Sequence, residues 1–354
     1  MKTISQAEFF KKLSNHARAN DIPMNGLFEL TPFCNLNCKM CYIHLTDAAL
    51  KTEMLSGKQW ISIMQQAIDH GMVSALLTGG EAMTHPDFWE IYEFLISKGV
   101  LVRIKTNGIL LNESTIQKLC LLSPSNIDIS LYGCNSESYL AVTGYDVFDA
   151  VISNIQAAKK AGLPLKLMVT PSRYMLPWAE DIMKLAKRLD ILTIVNETLL
   201  APNENTERKL EDYDLTKEEY LKIAVLKNEL FPNENPVSDD ECPEPDKKTS
   251  SVIPDNALRC GAGRANFAVH WNGIMTPCLA FPQEMVCEDL KKTTFTSAWE
   301  SINQQIKKFV IAKECLSCDY RNKCGYCPVK HGKYALEHLI NPKYCELKKA
   351  FIDI

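Results

Sequence analysis

Residues 34–41 read Cys34-Asn35-Leu36-Asn37-Cys38-Lys39-Met40-Cys41, three thiols in one loop directly behind an apolar run, Leu27 to Thr31, that reads as a strand. Three thiolates so close together can wrap one face of an iron-sulfur cube and leave its fourth iron without a protein ligand. An open iron is a place for substrate or cofactor. The plain alternative is a zinc site or a buried thiol cluster. Zinc normally closes with four ligands, and only His44 lies nearby to supply one.

Outward from that loop, the whole chain is rich in cysteine, with 14 in 354 residues. A chain this long needs no disulfide staples, and a reducing cytosol would not keep them, so metal or redox use leads. Composition is ordinary for a globular protein, 46% hydrophobic and 23% charged, which excludes disorder and collagen-like structure. Lys+Arg 39 against Asp+Glu 43 gives a net charge of -4, so no nucleic-acid partner is expected. The start, Met1-Lys2-Thr3-Ile4-Ser5-Gln6, lacks the apolar region of a signal peptide, and the longest uncharged stretch is broken by Gly273, Pro277 and Pro282. A cytoplasmic protein with no membrane partner is expected.

From about residue 25 to residue 200, short apolar runs alternate with amphipathic ones. Strands are expected at Leu27 to Thr31, Val73 to Leu77, Leu101 to Lys105, Ile127 to Leu131, Leu165 to Thr170 and Leu192 to Asn196. Ser56 with Gln59 reads as a capping box, Pro86 suits a first helical turn, and Asn112 caps Ile116 to Leu121. Further helices are expected from about Asp146 to Lys160, closed by Gly162, and from about Trp178 to Leu189. Six βα units in series imply a parallel sheet with right-handed crossovers, either open and doubly wound or a partial barrel. Beyond Leu200, Thr216 with Glu219 caps one helix, and Pro232 to Pro254 is polar, acidic and turn-rich. The remainder, from about Arg259, shows many cysteines and little periodicity, as expected of a metal-organised domain. The divisions expected are an N-terminal helical segment at 1–24, with Ser5 and Glu8 capping its helix, an α/β barrel at 25–200, an insertion and linker at 201–254 and a cysteine-rich domain at 255–354.

The spacing Cys34-x3-Cys38-x2-Cys41 resembles that of the radical S-adenosylmethionine (SAM) superfamily, where it follows the first strand of a partial (βα)6 TIM-type barrel. The resemblance covers about residues 20–200 and has further support. Thr78-Gly79-Gly80-Glu81 resembles the family segment that holds the cofactor's amino group; glycines let backbone approach closely, and a carboxylate pairs with an ammonium. Asn107, in Thr106-Asn107-Gly108, and Ser130 end the third and fourth strands, where the resemblance places the ribose and the methionine carboxylate. Together these motifs occupy one face of a parallel barrel, the usual place for chemistry. Met40 departs from the family's usual aromatic beside the adenine; a thioether can cover a ring face, and Tyr42 can share that role. The resemblance implies one-electron cleavage of SAM to methionine and a 5'-deoxyadenosyl radical that abstracts a hydrogen atom. It also implies a reductant such as flavodoxin or ferredoxin and an anaerobic host.

The C-terminal order Cys260-x12-Gly273-x4-Cys278, Cys315-x2-Cys318-x5-Cys324-x2-Cys327 and Cys345 resembles the seven-cysteine SPASM extension of radical enzymes that modify peptides and proteins. The last internal spacing is x2, where the family has x3. By the resemblance, Cys315, Cys318, Cys324 and Cys345 close one auxiliary 4Fe-4S cluster and Cys260, Cys278 and Cys327 hold another, making three clusters in all. A zinc module is the rival, although x5 is short for independent zinc arms. Of the four remaining cysteines, Cys120 reads as core, Cys134 as lying on the active-site face, Cys242 as a thiol in the acidic linker, and Cys287 as a further ligand or none.

The implied function is a post-translational maturase of a ribosomally made peptide, an oxidoreductase that installs a cross-link such as a thioether or an epimer. A sulfatase-type maturase is disfavoured because Cys278 is followed by Leu279-Ala280-Phe281 where those relatives carry an Asp. A small-molecule radical dehydrogenase is the other enzymatic alternative, and an iron-sulfur regulator would have no use for Gly79-Gly80-Glu81. The short stretch ahead of the first strand leaves no room for a leader-recognition domain, so a peptide or protein substrate would be held by the barrel mouth, the C-terminal domain, the insertion or a partner. The Lys- and Glu-rich helix from Lys217 to Glu229 reads as a solvated surface helix.

Overall fold

A computed structural model describes residues 6–43, 53–196, 199, 209–232, 257–258, 260–321 and 323–353. Ser5, His44, Cys242 and nearly all of the acidic stretch lie outside the described residues. The helices are α1 (Gln6–Ala19), α2 (Gly57–Asp69), α3 (Phe88–Ser97), α4 (Glu113–Leu121), α5 (Ser136–Thr143), α6 (Phe148–Lys160), α7 (Ala179–Leu189), α8 (Leu210–Tyr213), α9 (Lys217–Leu230), α10 (Phe295–Lys308), α11 (Pro328–His331), α12 (Lys333–Leu336) and α13 (Pro342–Asp353). The strands are β1 (Asn25–Glu29), β2 (Ser74–Thr78), β3 (Leu101–Thr106), β4 (Asn126–Ser130), β5 (Leu165–Val169), β6 (Thr193–Val195), β7 (Asn266–Val269), β8 (Ile274–Thr276) and β9 (Glu288–Asp289). Two compact units divide the chain: Phe28–Gly57 with Ala75–Pro236, and Met1–Leu27 with Lys58–Ser74 and Val237–Asp353.

The first of these units holds the βα repeat. Strands β2 to β6 lie side by side in chain order, and the pairs β3·β4, β4·β5 and β5·β6 are parallel, as in a partial TIM-type barrel. Each expected strand is found within two residues at either end. On the helix-facing side Val102, Ile104, Ile127, Ile129 and Leu167 are fully buried, each contributing about 1.5–3 kcal/mol by leaving water. A Cβ added at Gly108 would sit 3.2 Å from Ile129 and 3.3 Å from Val151, so β4 meets α6 directly under that turn. Two caps read from sequence are present, while Pro86 lies ahead of the N-cap Asp87 and outside the first turn of α3. Asn112 Oδ1 accepts from the Thr115 N–H at 3.0 Å, and Thr216 with Glu219 closes a reciprocal box on α9. Gly162, with φ +78°, follows the end of α6.

One helix is added to those expected in this unit, and one expectation is corrected. α5 forms over Ser136–Thr143, before α6 starts at Phe148. Its signal is local: Asn135 Oδ1 accepts from the Ser138 N–H at 2.8 Å, and Gly144 ends the helix in a left-handed conformation. Cys120 is exposed, on the outward side of α4, because Ile116 and Leu119 already fill the core-facing positions.

The other unit is more regular than its cysteines suggest. β7 and β8 form an antiparallel hairpin turned at Gly273, whose φ of +87° explains the glycine, and β9 pairs with β8. α10 carries an apolar stripe, Phe295, Ala298, Trp299, Ile302 and Ile306, with Phe295 and Trp299 rings edge-on to Phe267. That 3.6-residue period corrects the expectation of little periodicity. Asp21, just past α1, is a polar hub on the same helix: it pairs with Lys307, accepts from Asn303 Nδ2 at 3.0 Å, and its carbonyl accepts from Trp299 Nε1 at 2.8 Å. From α2, Gln66 Oε1 accepts from the Phe295 N–H at 3.1 Å. Past α10 the elements shorten to a 3-10 turn at Lys313–Cys315 and the four-residue α11 and α12, held by Tyr326 stacked on His331 at 4.2 Å. Burial lowers the His331 pKa to about 4, and its Nδ1 accepts from the Asn341 N–H. No described helix is long and apolar enough to cross a membrane.

Candidate active site

The loop 34–41 is shaped by main-chain hydrogen bonds from two sides. Behind β2, the Gly80 N–H donates to the Thr31 carbonyl and the Glu81 N–H to the Phe33 carbonyl, both at 2.8 Å. A Cβ on Gly79 would lie 2.4 Å from Thr31 O, and one on Gly80 2.3 Å from Phe33 O. Both glycines therefore admit close approach of the chain's own backbone just ahead of Cys34, a role the sequence alone assigned to ligand contact. From the other side, the Asn37 and Lys39 N–H groups donate to the Thr143 and Val142 carbonyls at 3.0 and 2.9 Å. Those carbonyls are the unpartnered C-terminal acceptors of α5, so a helix end and the cysteine loop satisfy each other. Within the loop the Cys41 N–H donates to Cys38 O at 3.1 Å.

Glu81 ties the second strand end to the third. Its side chain is 1% exposed; Oε2 accepts from Thr106 Oγ1 at 3.0 Å and from the Asn107 N–H at 2.8 Å, while Oε1 caps the Met83 N–H at 3.4 Å. Burial raises its pKa to about 7 against these stabilising donors. Asn107 in turn donates through Nδ2 to Asn35 Oδ1 at 2.6 Å and lies 3.7 Å from Cys34 Sγ. Glu81, Thr106, Asn107, Asn35 and Cys34 thus form one continuous chain of contacts.

The other expected residues occupy the same region. Met40 is buried, and Tyr42 donates to Glu29 Oε1 on β1 at 3.1 Å. Ser130 ends β4 and hydrogen-bonds Tyr132, a residue that the sequence reading passed over. Burial pushes the Tyr132 hydroxyl well above its usual range, and the charges of Cys38, Cys41 and Cys34 all act on it in the same direction. Its only sequence signal is an aromatic two residues past a strand-end serine. Cys134, one residue beyond Gly133, is half-buried with its N–H donated to Ser138 Oγ at 2.9 Å.

The donor set suits an iron-sulfur cube. Desolvation around its Sγ, then the nearby Glu81 and Cys41, raise the Cys34 thiol to about 11 although the residue as a whole is exposed, so a thiolate at this position calls for a cationic group to hold it. Two C-terminal thiols are shifted in the same direction. Burial raises Cys315 to about 11, with Cys324, Cys345 and Cys318 adding in that order, and Cys324 feels Cys345 and Cys318 in turn. The four are therefore neighbours. Cys327 lies close enough to act on Tyr326, which burial raises to about 12; Cys260 precedes β7, and the Cys278 carbonyl accepts from Thr276 Oγ1 at 2.9 Å. Cys287 is exposed, among Glu284, Glu288 and Asp289. Among the described residues no three His, Cys, Asp or Glu side chains converge on a single metal ion; a cube takes one thiolate per iron, and its ligands need not meet at a point.

Comparison with known proteins agrees with this arrangement. The AdoMet-dependent heme synthase of Methanosarcina barkeri is 24% identical over 336 residues, 90% of this chain and 95% of that protein. The antilisterial bacteriocin subtilosin biosynthesis protein AlbA of Bacillus subtilis is 24% identical over 322 residues, 87% of this chain and 68% of that protein. The crystal structure of Streptococcus suis SuiB bound to S-adenosylmethionine shares the fold, with a TM-score of 0.71 at 16% identity, covering 98% of this chain and 84% of that one. Residues 28–189 match the Radical SAM superfamily and residues 260–328 match SPASM, an iron-sulfur cluster-binding domain, so the chain carries a radical SAM domain followed by a SPASM extension.

Proposed function

We propose that this protein is a peptide maturase: it abstracts a hydrogen atom from a ribosomally made peptide and leaves a cross-link, such as a thioether, or an epimerised residue. The observation that carries the reading is the chain of contacts from Glu81 through Asn107 to Cys34, which assembles a thiol-only site at the carboxyl ends of β1 to β3. Cys34, Cys38 and Cys41 would hold a 4Fe-4S cube, which with bound SAM supplies reductive cleavage of the cofactor and a hydrogen-abstracting radical. Gly79 and Gly80 keep the cysteine loop against β2, Glu81 fixes Thr106 and Asn107, and Tyr132, hydrogen-bonded with Ser130, lies within electrostatic reach of the thiols. Met40 and Tyr42 flank the adenine side. In the SPASM region Cys315, Cys318, Cys324 and Cys345 would hold one auxiliary cluster, and Cys260, Cys278 and Cys327 a second. Reconstituted protein should then carry ~12 irons per chain, whereas ~4 would remove the auxiliary clusters. A flavodoxin or ferredoxin in a reducing cytoplasm would supply the electron.

Support for a peptide substrate comes from relatives whose names carry it: subtilosin biosynthesis protein AlbA, PqqA peptide cyclase of Rhizobium meliloti, and a SuiB structure bound to its precursor peptide. A second reading is favoured by the heme synthase relative, which aligns over nearly its entire length and points to a tetrapyrrole. One experiment separates them. Anaerobic protein with SAM and dithionite is given either a short peptide encoded beside its gene or a porphyrin precursor, and mass spectrometry follows the product. Loss of two hydrogen atoms from the peptide, or deuterium uptake from heavy water, supports the first reading; change in the porphyrin alone replaces it with the second.

A further inference from the structure

Three cationic side chains share one face of β3 to β5. The register sets Arg103 opposite Asn126, Lys105 opposite Asp128, and Asp128 opposite Lys166, and residues paired across neighbouring strands lie on the same face of a sheet. The opposite face belongs to the helices, since Val102 and Ile104 are wholly buried and Ile129 flanks Gly108 together with Val151 of α6. The Arg103, Lys105, Asp128 and Lys166 row therefore faces away from the helices, into the hollow of the sheet. Asp128 is 6% exposed and accepts from Asn126 Nδ2, whereas all three cations are half-buried. Three positive charges against one carboxylate leave this face with an excess of two.

The cations are not equivalent. Arg103, Asp128 and Lys166 are engaged with neighbours, while among the described residues Lys105 makes no hydrogen bond or ion pair. Lys105 lies two residues before Asn107, whose amide is 3.7 Å from Cys34 Sγ, so its Cα sits about 7 Å along the strand from the site. Holding an ammonium half out of water with no ion-pair partner, beside a single carboxylate shared among three cations, costs free energy that an arriving anion returns.

We propose that Lys105, backed by Lys166, binds a carboxylate of the substrate, so that this enzyme acts on an acidic substrate seated beneath the cysteine loop. The inference rests on the reading that substrate meets cofactor on this face. The test uses anaerobically reconstituted holoenzyme saturated with SAM, and the probes are Ac-Gly-Glu-Gly-NH2 and its uncharged isostere Ac-Gly-Gln-Gly-NH2, followed by isothermal titration calorimetry at low salt. The glutamate peptide should bind about tenfold more tightly, as expected for one charge-assisted contact. Lys105→Gln and Lys166→Gln should erase that preference, and Lys105→Arg should keep most of it, which separates a lost charge from a lost fold. No preference in the native protein overturns the proposal. So does a Lys105→Gln variant that keeps the preference but binds SAM about tenfold more weakly, because the carboxylate would then be the cofactor's own. A preference that depends on Lys105, in a protein that changes no peptide, would uphold the anion site and remove only the peptide reading.

Discussion

The two cysteine groups are built by opposite means. The loop 34–41 hangs between fully formed elements, with β2 holding its approach, the end of α5 holding its middle and Glu81 fixing the neighbouring strand end. Its shape is fixed by hydrogen bonds to elements outside the loop. The C-terminal thiols Cys315, Cys318, Cys324 and Cys345 instead lie among a 3-10 turn, two four-residue helices and α13, which buries only Leu347. Elements that short cannot hold themselves by helix propagation, so a cluster held there would contribute folding free energy outright. On the proposed ligand sets, one site would be made by the barrel for its ligand, and the other in part by its ligand.

That contrast can be broken at several points. The largest effect is expected from Cys34→Ala, Cys38→Ala or Cys41→Ala, each of which should reduce 5'-deoxyadenosine formation to the level of iron-free protein. Circular dichroism and the melting midpoint should stay close to native, and a collapse of the barrel in any of them would show that its loop, too, needs metal. Anaerobic chelation of iron comes next. Amide exchange across 312–347 should accelerate at least ~10-fold while β3 to β5 keep their protection, and equal loss in both regions would erase the distinction.

Smaller effects sharpen the barrel side. Gly80→Ala drives a methyl into the Phe33 carbonyl and should cost about 3 kcal/mol by denaturant titration, because the obstacle is backbone. Glu81 supplies a pH signature. Its folded pKa, about 7, lies above the ordinary 4.5, so the folded state binds more protons between those values. Stability without SAM should be full below about pH 4.5 and fall by on the order of 3 kcal/mol as the pH rises through 7, and Glu81→Gln should flatten the decline. An unchanged slope in that variant would place the titration elsewhere. Least of all, Cys120→Ser on the exposed face of α4 should shift stability by less than about 0.5 kcal/mol and leave the iron content unaltered.

Much of this was legible in the residues. Six β-rich runs with caps such as Asn112 and Thr216 announce the βα repeat, since strand alternation and capping are short-range physics. The two cysteine groups are visible as spacing. What escaped notice was set by long-range partners or by weak local cues. The helix α5 is short, and its value lies in the carbonyls it lends to Asn37 and Lys39, more than a hundred residues earlier. Tyr132 matters through the charges of Cys38, Cys41 and Cys34, about a hundred residues earlier, and α10 is the one long apolar stripe, at Phe295, Trp299 and Ile302, in a region otherwise dominated by cysteines.

Chain order and residue chemistry alone settle that this protein has parallel βα units, a three-thiol loop suited to an open iron-sulfur cube and a second, seven-thiol region, because each of these is written in contiguous spacing. Three-dimensional packing sets how closely Gly79 and Gly80 approach the backbone ahead of Cys34, how deeply Glu81 is buried, and that Cys315 lies near Cys318, Cys324 and Cys345. It also sets Lys105, Asp128 and Lys166 in one row, since strand register joins residues that no local pattern connects.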